Sequence, residues 1–285
     1  MLSALILAIT LPLPASPPTT GEAPAEPLAL RLAQGQPQSL PTLARQLRSI
    51  ADETERARAV HDFVALWLEY RAGDGSPQEP ATVLARRTGN CDGYARLFEA
   101  LARAAGLEVK TITGLARDLQ DRPQPHAWNV IRLGGAWRFV DVTFDDPTVV
   151  GESNGPALRS DYFLTSPDVA ILDHLPADRR WLLGAAPLTR GQFLAQGPER
   201  ATTRGRGLRL GATRREDEVL VVPIGNETRR HLLVRIDGEP CAPVSDAPEL
   251  EVRCAAKAGQ PHRLELFTHS APTGLFLSVT EWTTP

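Results

Sequence analysis

Residues 88–114 read TGNCDGYARLFEALARAAGLEVKTITG, a stretch in which a helix signal is followed by a strand signal. After Cys91, apolar residues recur at three- and four-residue spacing, which predicts a helix with one buried face. The side chain of Asn90 can cap the start of this helix, and Gly106 suits its end. We therefore expect a helix that begins at Cys91 and ends near Ala105.

Residues 126–147 read HAWNVIRLGGAWRFVDVTFDDP and contain two runs of strand-forming residues. The pair Gly134-Gly135 separates the runs, and adjacent glycines in this position are typical of a tight hairpin turn. Strands are predicted at Val109–Gly114, Ala127–Leu133 and Trp137–Val142. A helix that leads into antiparallel strands predicts an α+β fold.

Side chains in these two stretches suit one kind of chemistry. A helix N-terminus lowers the pKa of a cysteine because it stabilises the thiolate, so Cys91 is a candidate nucleophile. His126 is a candidate base, and Asp141 can orient its ring across the hairpin. The polar, turn-forming residues around Cys91 argue against a core cysteine. The adjoining AWNVIRL strand and the partner thiol argue against a surface histidine at His126, and the alternative for Asp141 is an aspartate that merely ends a strand. Asp145 and Asp146 lie beyond the paired strands and are expected to shape a turn.

A metal site is a second interpretation of the same residue types. With His174 added, the three candidate side chains could offer four ligands to a metal ion. The close pair spacings of structural zinc sites do not occur in the sequence, and neither does an HExxH motif. We therefore expect no metal, and the chemistry needs no organic cofactor. The remaining histidines are predicted to be structural or exposed: His61, His174, His231, His262 and His269.

The motifs resemble those of the transglutaminase-like superfamily, whose core is papain-like. The order of cysteine helix, histidine strand and aspartate strand matches. The CDGYA, HAWN and W-x-x-V-D-x-T-x-DDP motifs look most like the kyphoscoliosis-peptidase-like branch, as does YFLTSPDVAILDHLPADRRWLL at residues 162–183. The resemblance implies a helix bearing the cysteine packed on an antiparallel sheet. It also implies that Cys91, His126 and Asp141 are nucleophile, base and orienting group.

Two aromatic residues near the triad are candidate substrate-binding residues. The hydroxyl of Tyr94, one helical turn after Cys91, could assist the site, and a core position is the alternative. Trp128 is expected to pack over the site or to line a substrate groove. The expected partner is a peptide or protein substrate.

The resemblance implies acyl transfer from peptide or side-chain amide bonds to a second nucleophile. Hydrolysis is favoured over amine transfer because water is abundant and no amine-binding feature can be identified in the sequence. The alternative is a non-catalytic peptide-binding or scaffold protein that keeps the same core. An intact triad argues against this alternative, because degenerate relatives are expected to lose one of its members.

The chain has 285 residues, enough for one large domain or two modest ones. Its net charge of −3 and the lack of a long basic run argue against a nucleic-acid partner. Short strand signals after residue 207 predict a small β-sandwich, and nothing in the sequence indicates an oligomeric state. We predict a signal peptide at 1–15, a Pro/Ala-rich tether at 16–39, a transglutaminase-like domain at 40–198 and a β-sandwich domain at 199–285.

Residues 1–16, MLSALILAITLPLPAS, form an apolar run that is too short to span a bilayer. Although it lacks preceding basic residues, the run resembles a secretory signal with cleavage after Ala15. We therefore expect export to the periplasm or the exterior, with no stable membrane span after cleavage. In an oxidising compartment Cys241 and Cys254 could form a disulfide, with two small buried residues as the alternative.

Overall fold

The computed structural model describes residues 26–118, 122–146, 158, 160–269 and 277–284. The predicted signal peptide and the first part of the predicted tether lie outside these residues. Within the described ranges, no helix combines the length and the apolar character needed to cross a membrane.

Helices and short strands alternate up to about residue 206, and strands alone follow. The helices are α1 (Pro27–Gln34), α2 (Leu40–Leu47), α3 (Glu53–Trp67), α4 (Pro80–Arg86), α5 (Cys91–Ala104), α6 (Val142–Asp145), α7 (Pro167–Ala170), α8 (Arg190–Leu194) and α9 (Ala201–Gly205). The strands among them are β1 (Glu69–Tyr70), β2 (Thr88–Gly89), β3 (Glu108–Arg117), β4 (Pro123–Leu133), β5 (Ala136–Val140) and β6 (His174–Pro176). The later strands are β7 (Leu208–Leu210), β8 (Arg214–Glu216), β9 (Val219–Asn226), β10 (His231–Ile236), β11 (Glu239–Pro240), β12 (Glu249–Ala255), β13 (His262–His269) and β14 (Leu277–Thr284).

Helix α1 corrects the predicted tether at 16–39. Its Ala29 and Leu32 lie on one helix face and are buried in the same core as α3. The side chain of Glu26 caps the helix, and the backbone N–H of Glu26 donates to Asp62 Oδ2 at 2.8 Å. The high proline content predicted an extended segment, but a proline in the first turn of a helix loses no backbone hydrogen bond.

Helix α5 begins at Cys91, as predicted. The side chain of Asn90 accepts hydrogen bonds from the backbone N–H groups of Asp92 at 3.0 Å and Gly93 at 3.2 Å. The apolar face of α5 is buried against neighbouring helices and against the sheet that contains β3 and β4. Its fully buried side chains include Tyr94, Leu97, Phe98 and Leu101. Each buried apolar side chain of this size contributes roughly 1.5–3 kcal/mol before entropy is counted.

The sheet behind α5 is antiparallel, with the strand order β5-β4-β3-β6. Strands β4 and β5 form the predicted hairpin, in which Gly134 (φ 56°) and Gly135 (φ 81°) occupy left-handed conformations. The amide of Asn129 donates to the Ala95 carbonyl at 3.0 Å, which joins β4 to α5. The predicted α+β class, with the cysteine helix packed on an antiparallel sheet, is confirmed.

Gly114 is where the edge strand β6 lies closest to β3. A Cβ atom at this position would lie 2.2 Å from the Leu175 carbonyl oxygen and 2.7 Å from Trp128 Cη2. We expect Gly114→Ala to lower the free energy of unfolding by roughly 1–3 kcal/mol, because β6 has to move away. Urea denaturation measures this loss. The matched control is Gly191→Ala in α8, where a Cβ would have no neighbour within 4 Å, and equal stability of the two variants would contradict the expectation.

The strands after residue 206 form a two-sheet sandwich. One sheet has the order β11-β10-β13-β14, and the other has the order β12-β9-β7, with β8 also paired to β9. The two sheets enclose a common core, whose members include Leu220, Val222, Val234, Leu264, Leu266 and Trp282. A disulfide joins Cys241, next to β11, to Cys254 in β12, so it links the two sheets.

The segment around α9 contacts both the β-sandwich and the part of the chain that precedes it. Thr280 Oγ1 donates to the Pro198 carbonyl at 2.8 Å, and a buried ion pair joins Arg206 to Asp161 at 2.9 Å. The predicted boundary between residues 198 and 199 stays a prediction.

Candidate active site

Cys91 lies at the N-terminus of α5 and is a partly exposed residue, while the other two cysteines form the disulfide. It contacts the ring of His126 and the backbone N–H of Ala127 through hydrogen bonds. Burial raises the pKa of the Cys91 thiol, but these contacts outweigh burial, so the pKa lies below its ordinary value. The site therefore favours the nucleophilic thiolate.

His126 is buried in β4 and connects the thiol to a carboxylate. Its Nε2 lies 2.6 Å from Asp141 Oδ2, which leaves Nδ1 for the thiol of Cys91. Burial lowers the pKa of His126, but the charge and hydrogen bond of Asp141 and the contact with Cys91 raise it to about 10. The raised pKa keeps the His126 ring protonated at neutral pH, and the lowered pKa of Cys91 favours the thiolate beside it.

Asp141 lies one residue beyond β5 and is the N-cap of the short helix α6. Its Oδ1 accepts hydrogen bonds from the N–H groups of Thr143 at 2.8 Å and Phe144 at 3.3 Å, and this aims Oδ2 at the His126 ring. Burial raises the pKa of Asp141, but the neighbouring histidines lower it more, so the group is ionised. The predicted trio therefore meets in one place, and the N-cap aims the carboxylate.

His174 is the residue that sequence reasoning missed. It was predicted to be structural or exposed and was grouped with the triad only in the rejected metal interpretation. Its Nε2 lies 2.9 Å from the same Asp141 Oδ2, and its Nδ1 lies 2.7 Å from Asp173 Oδ1. His174 begins β6, which pairs with β3 beside the end of β4 that carries His126. The signal available in the sequence was the adjacent Asp173-His174 pair within the family-like run at residues 162–183.

Among the described residues, one group of metal-binding types has its ligand atoms within 4.8 Å of one another: His126, Asp141 and His174. Both imidazole Nε2 atoms lie at hydrogen-bonding distance from one carboxylate oxygen, and this accounts for the proximity. The expectation that the site uses no metal stays a prediction.

Asp145 and Asp146 do more than shape a turn, and this corrects the sequence-based expectation. Both are buried. Asp145 Oδ2 lies 3.0 Å from His61 Nε2, and Asp146 accepts a hydrogen bond from the hydroxyl of Tyr94. These contacts attach the segment that follows β5 to α3 and α5. The position of Asp141 therefore depends on residues from two other helices.

The two candidate substrate-binding residues are buried. No atom of Tyr94 is exposed, so the geometry favours the core position over a substrate contact. Trp128 is 2% exposed, and its ring stacks at 6.1 Å from the His126 ring and meets the His174 ring edge-on at 5.1 Å. Trp128 therefore shields the two histidines from water, which strengthens the charge interactions around them.

Part of the chain is similar to known proteins. Residues 41–142 match the model of the Transglutaminase-like superfamily. The chain is 32% identical to mouse kyphoscoliosis peptidase over 161 residues, which is 52% of this chain and 24% of that protein. It is 26% identical to hillarin of Drosophila melanogaster over 190 residues, which is 58% of this chain and 23% of that protein. The chain thus spans about a quarter of the length of the curated relatives it matches.

A candidate cysteine protease from Cytophaga hutchinsonii, a solved structure, is 28% identical with a TM-score of 0.33 and covers 36% of each chain. Residues 41–142 include the cysteine helix, the histidine strand and Asp141, so the matched segment contains the whole trio. Residues 41–142 therefore match the core of the transglutaminase-like superfamily.

Proposed function

We propose that the protein is a cysteine-dependent enzyme that transfers the acyl group of a peptide or side-chain amide, with water as the preferred acceptor. The observation that carries the proposal is the continuous contact from the thiol of the partly exposed residue Cys91 through His126 to the ionised Asp141. A scaffold protein has no need of a thiol whose pKa is lowered by an imidazolium.

The first half of the reaction forms a thioester. The Cys91 thiolate attacks the amide carbon, and positive potential at the start of α5 stabilises the oxyanion. The His126 imidazolium donates a proton to the amide nitrogen, after which the carbon–nitrogen bond breaks and the amine leaves. Asp141 keeps the ring oriented during this proton transfer.

Hydrolysis completes the cycle. Neutral His126 takes a proton from water, whose oxygen attacks the thioester carbon, and the carbon–sulfur bond then breaks. The products are a carboxylic acid, the regenerated Cys91 thiolate and the His126 imidazolium. Similarity to a protein named as a peptidase supports hydrolysis over amine transfer.

The proposal is tested by incubating the protein and its Cys91→Ala variant with a peptide mixture and a tagged primary amine. Mass spectrometry separates cleaved, deamidated and amine-linked products. We expect cleaved or deamidated products that disappear in the variant. A majority of amine-linked products would overturn the preference for water, and equal product formation by the variant would overturn the catalytic role of Cys91.

We also propose that the protein is exported. The apolar run at residues 1–16 and the disulfide between Cys241 and Cys254 support this, because disulfides persist in oxidising compartments. Fusion of residues 1–39 to a reporter enzyme that folds only outside the bacterial cytoplasm tests it. Active reporter is the expected result, and an inactive cytoplasmic fusion would contradict export.

A further inference from the structure

We propose that His174 is a positively charged positioning residue, which shares Asp141 with His126 and thereby limits how tightly His126 holds its proton. The inference deepens the proposed function and rests on it, because it concerns the same base. His174 touches neither the thiol nor any surface open to a substrate, and it acts through Asp141.

The charge of His174 follows from its two partners. Nε2 lies 2.9 Å from Asp141 Oδ2, and Nδ1 lies 2.7 Å from Asp173 Oδ1. A neutral imidazole has one N–H and would direct a lone pair at one of these carboxylates. Only the imidazolium donates a hydrogen bond to both. Since the side chain is buried, water cannot replace either partner.

Asp173 is held in place to support this charge. Its other oxygen, Oδ2, accepts hydrogen bonds from the Tyr162 hydroxyl at 2.8 Å and the Ala201 N–H at 3.0 Å. These donors come from different segments of the chain, so the carboxylate cannot rotate away from His174. Burial lowers the pKa of His174, but the two carboxylates outweigh it and raise the pKa above its ordinary value.

Among the residues that the structure describes, aromatic rings make up most of the remaining surroundings of His174. Those that pack around it are Trp128, Phe139, Phe144 and Tyr162. Within the same part of the chain, the titratable groups that face it are Asp141, Asp173 and His126, together with the phenol of Tyr162. Acidic and basic side chains therefore alternate along the contacts from Cys91 through His126, Asp141 and His174 to Asp173.

This arrangement has a consequence for the base. The ring centroids of His126 and His174 are 5.5 Å apart, so the charge of His174 opposes protonation of His126. At an effective dielectric constant of about 20–40, this repulsion lowers the pKa of His126 by about 1–2 units relative to a lone histidine–aspartate pair. A weaker base gives its proton to the leaving amine more readily, so His174 favours the first half of the reaction.

Asp173→Asn tests the charge of His174 while keeping the hydrogen bonds that the side chain of residue 173 makes. The new Nδ2 can donate to His174 Nδ1, and the new Oδ1 can accept from Tyr162 and Ala201. His174 then needs only the proton on Nε2, so we expect it to become neutral. With the opposing charge gone, we expect the pKa of His126 to rise by up to about one unit.

Nitrogen NMR of histidine-labelled protein measures both the protonation of His174 and the pKa of His126, and it requires no substrate. In the native protein at pH 7, both ring nitrogens of His174 should carry protons, and a bare nitrogen there would overturn the proposal without any variant. An unchanged His126 titration in folded Asp173→Asn would overturn it as well. Asp237→Asn, which alters a carboxylate–histidine pair in the β-sandwich, should leave His126 unchanged. Failure of the peptide assay would refute the proposed function but not this assignment.

Discussion

Replacing Asp141 by asparagine is expected to lower kcat for amide cleavage by about 10³–10⁴-fold while the protein stays folded. The retained Oδ1 still caps α6 through the N–H groups of Thr143 and Phe144, as asparagine is a good N-cap. The new Nδ2 donates to His126 Nε2, which places the ring proton on Nδ1. In that tautomer His126 cannot accept the proton of the Cys91 thiol.

Steady-state kinetics on a peptide identified in the product assay measures this loss, and circular dichroism checks the fold. The rate of Cys91 alkylation by iodoacetamide near pH 6 should fall as well, because the thiolate loses its imidazolium partner. Asp237→Asn is the control and should keep native activity, since it changes a carboxylate that is paired with a histidine in the β-sandwich. Activity of Asp141→Asn above a tenth of the native value would contradict the assigned role.

Replacing His61 by alanine is expected to lower the free energy of unfolding by about 3–5 kcal/mol. The His61 ring is buried, with Nδ1 2.8 Å from Asp62 Oδ1 and Nε2 3.0 Å from Asp145 Oδ2. Its removal leaves buried carboxylates without this partner and opens a cavity. Urea denaturation measures the change, and His231→Ala, at a half-buried histidine in β10, is the control.

The effect of His61→Ala should also depend on pH. Burial lowers the pKa of His61, but Asp145 and Asp62 outweigh it and raise the pKa above its ordinary value. A raised pKa means that the stabilisation is complete below about pH 6.5 and is lost as the pH rises through the folded-state pKa. The difference between variant and native protein should therefore shrink in alkaline solution, and a difference that grows there would refute the ion-pair role.

The sequence predicted the parts of the site whose signals are local. Asn90 and the apolar spacing after it define the start of α5, and Gly134-Gly135 defines the hairpin, because caps and tight turns act over a few residues. Alignment of Asp141 with His126 was also expected from the hairpin. The strand register pairs Asn129 with Val140 and ends before Asp141, so pairing between the strands does not orient the Asp141 carboxylate. The carboxylate is oriented instead by its role as the N-cap of α6.

Helix α1 shows where local signals mislead. The proline-rich composition of residues 16–39 indicated a tether, whereas contacts with α3 bury two residues of a short apolar stripe. A helix of eight residues is marginal in isolation and gains its stability from tertiary packing. Composition alone carries no information about such a packing surface.

By itself, the sequence determined the order of the elements, the helix that presents Cys91 and the hairpin that carries His126 close to Asp141. Only the tertiary structure decided that Asp141 serves two histidines. Strand β6 is three residues long and reaches His126 because Gly114 allows its close approach to β3. Contacts of this kind join residues that are distant along the chain. They depend on the shape of the assembled sheet, so no local periodicity or helix cap predicts them.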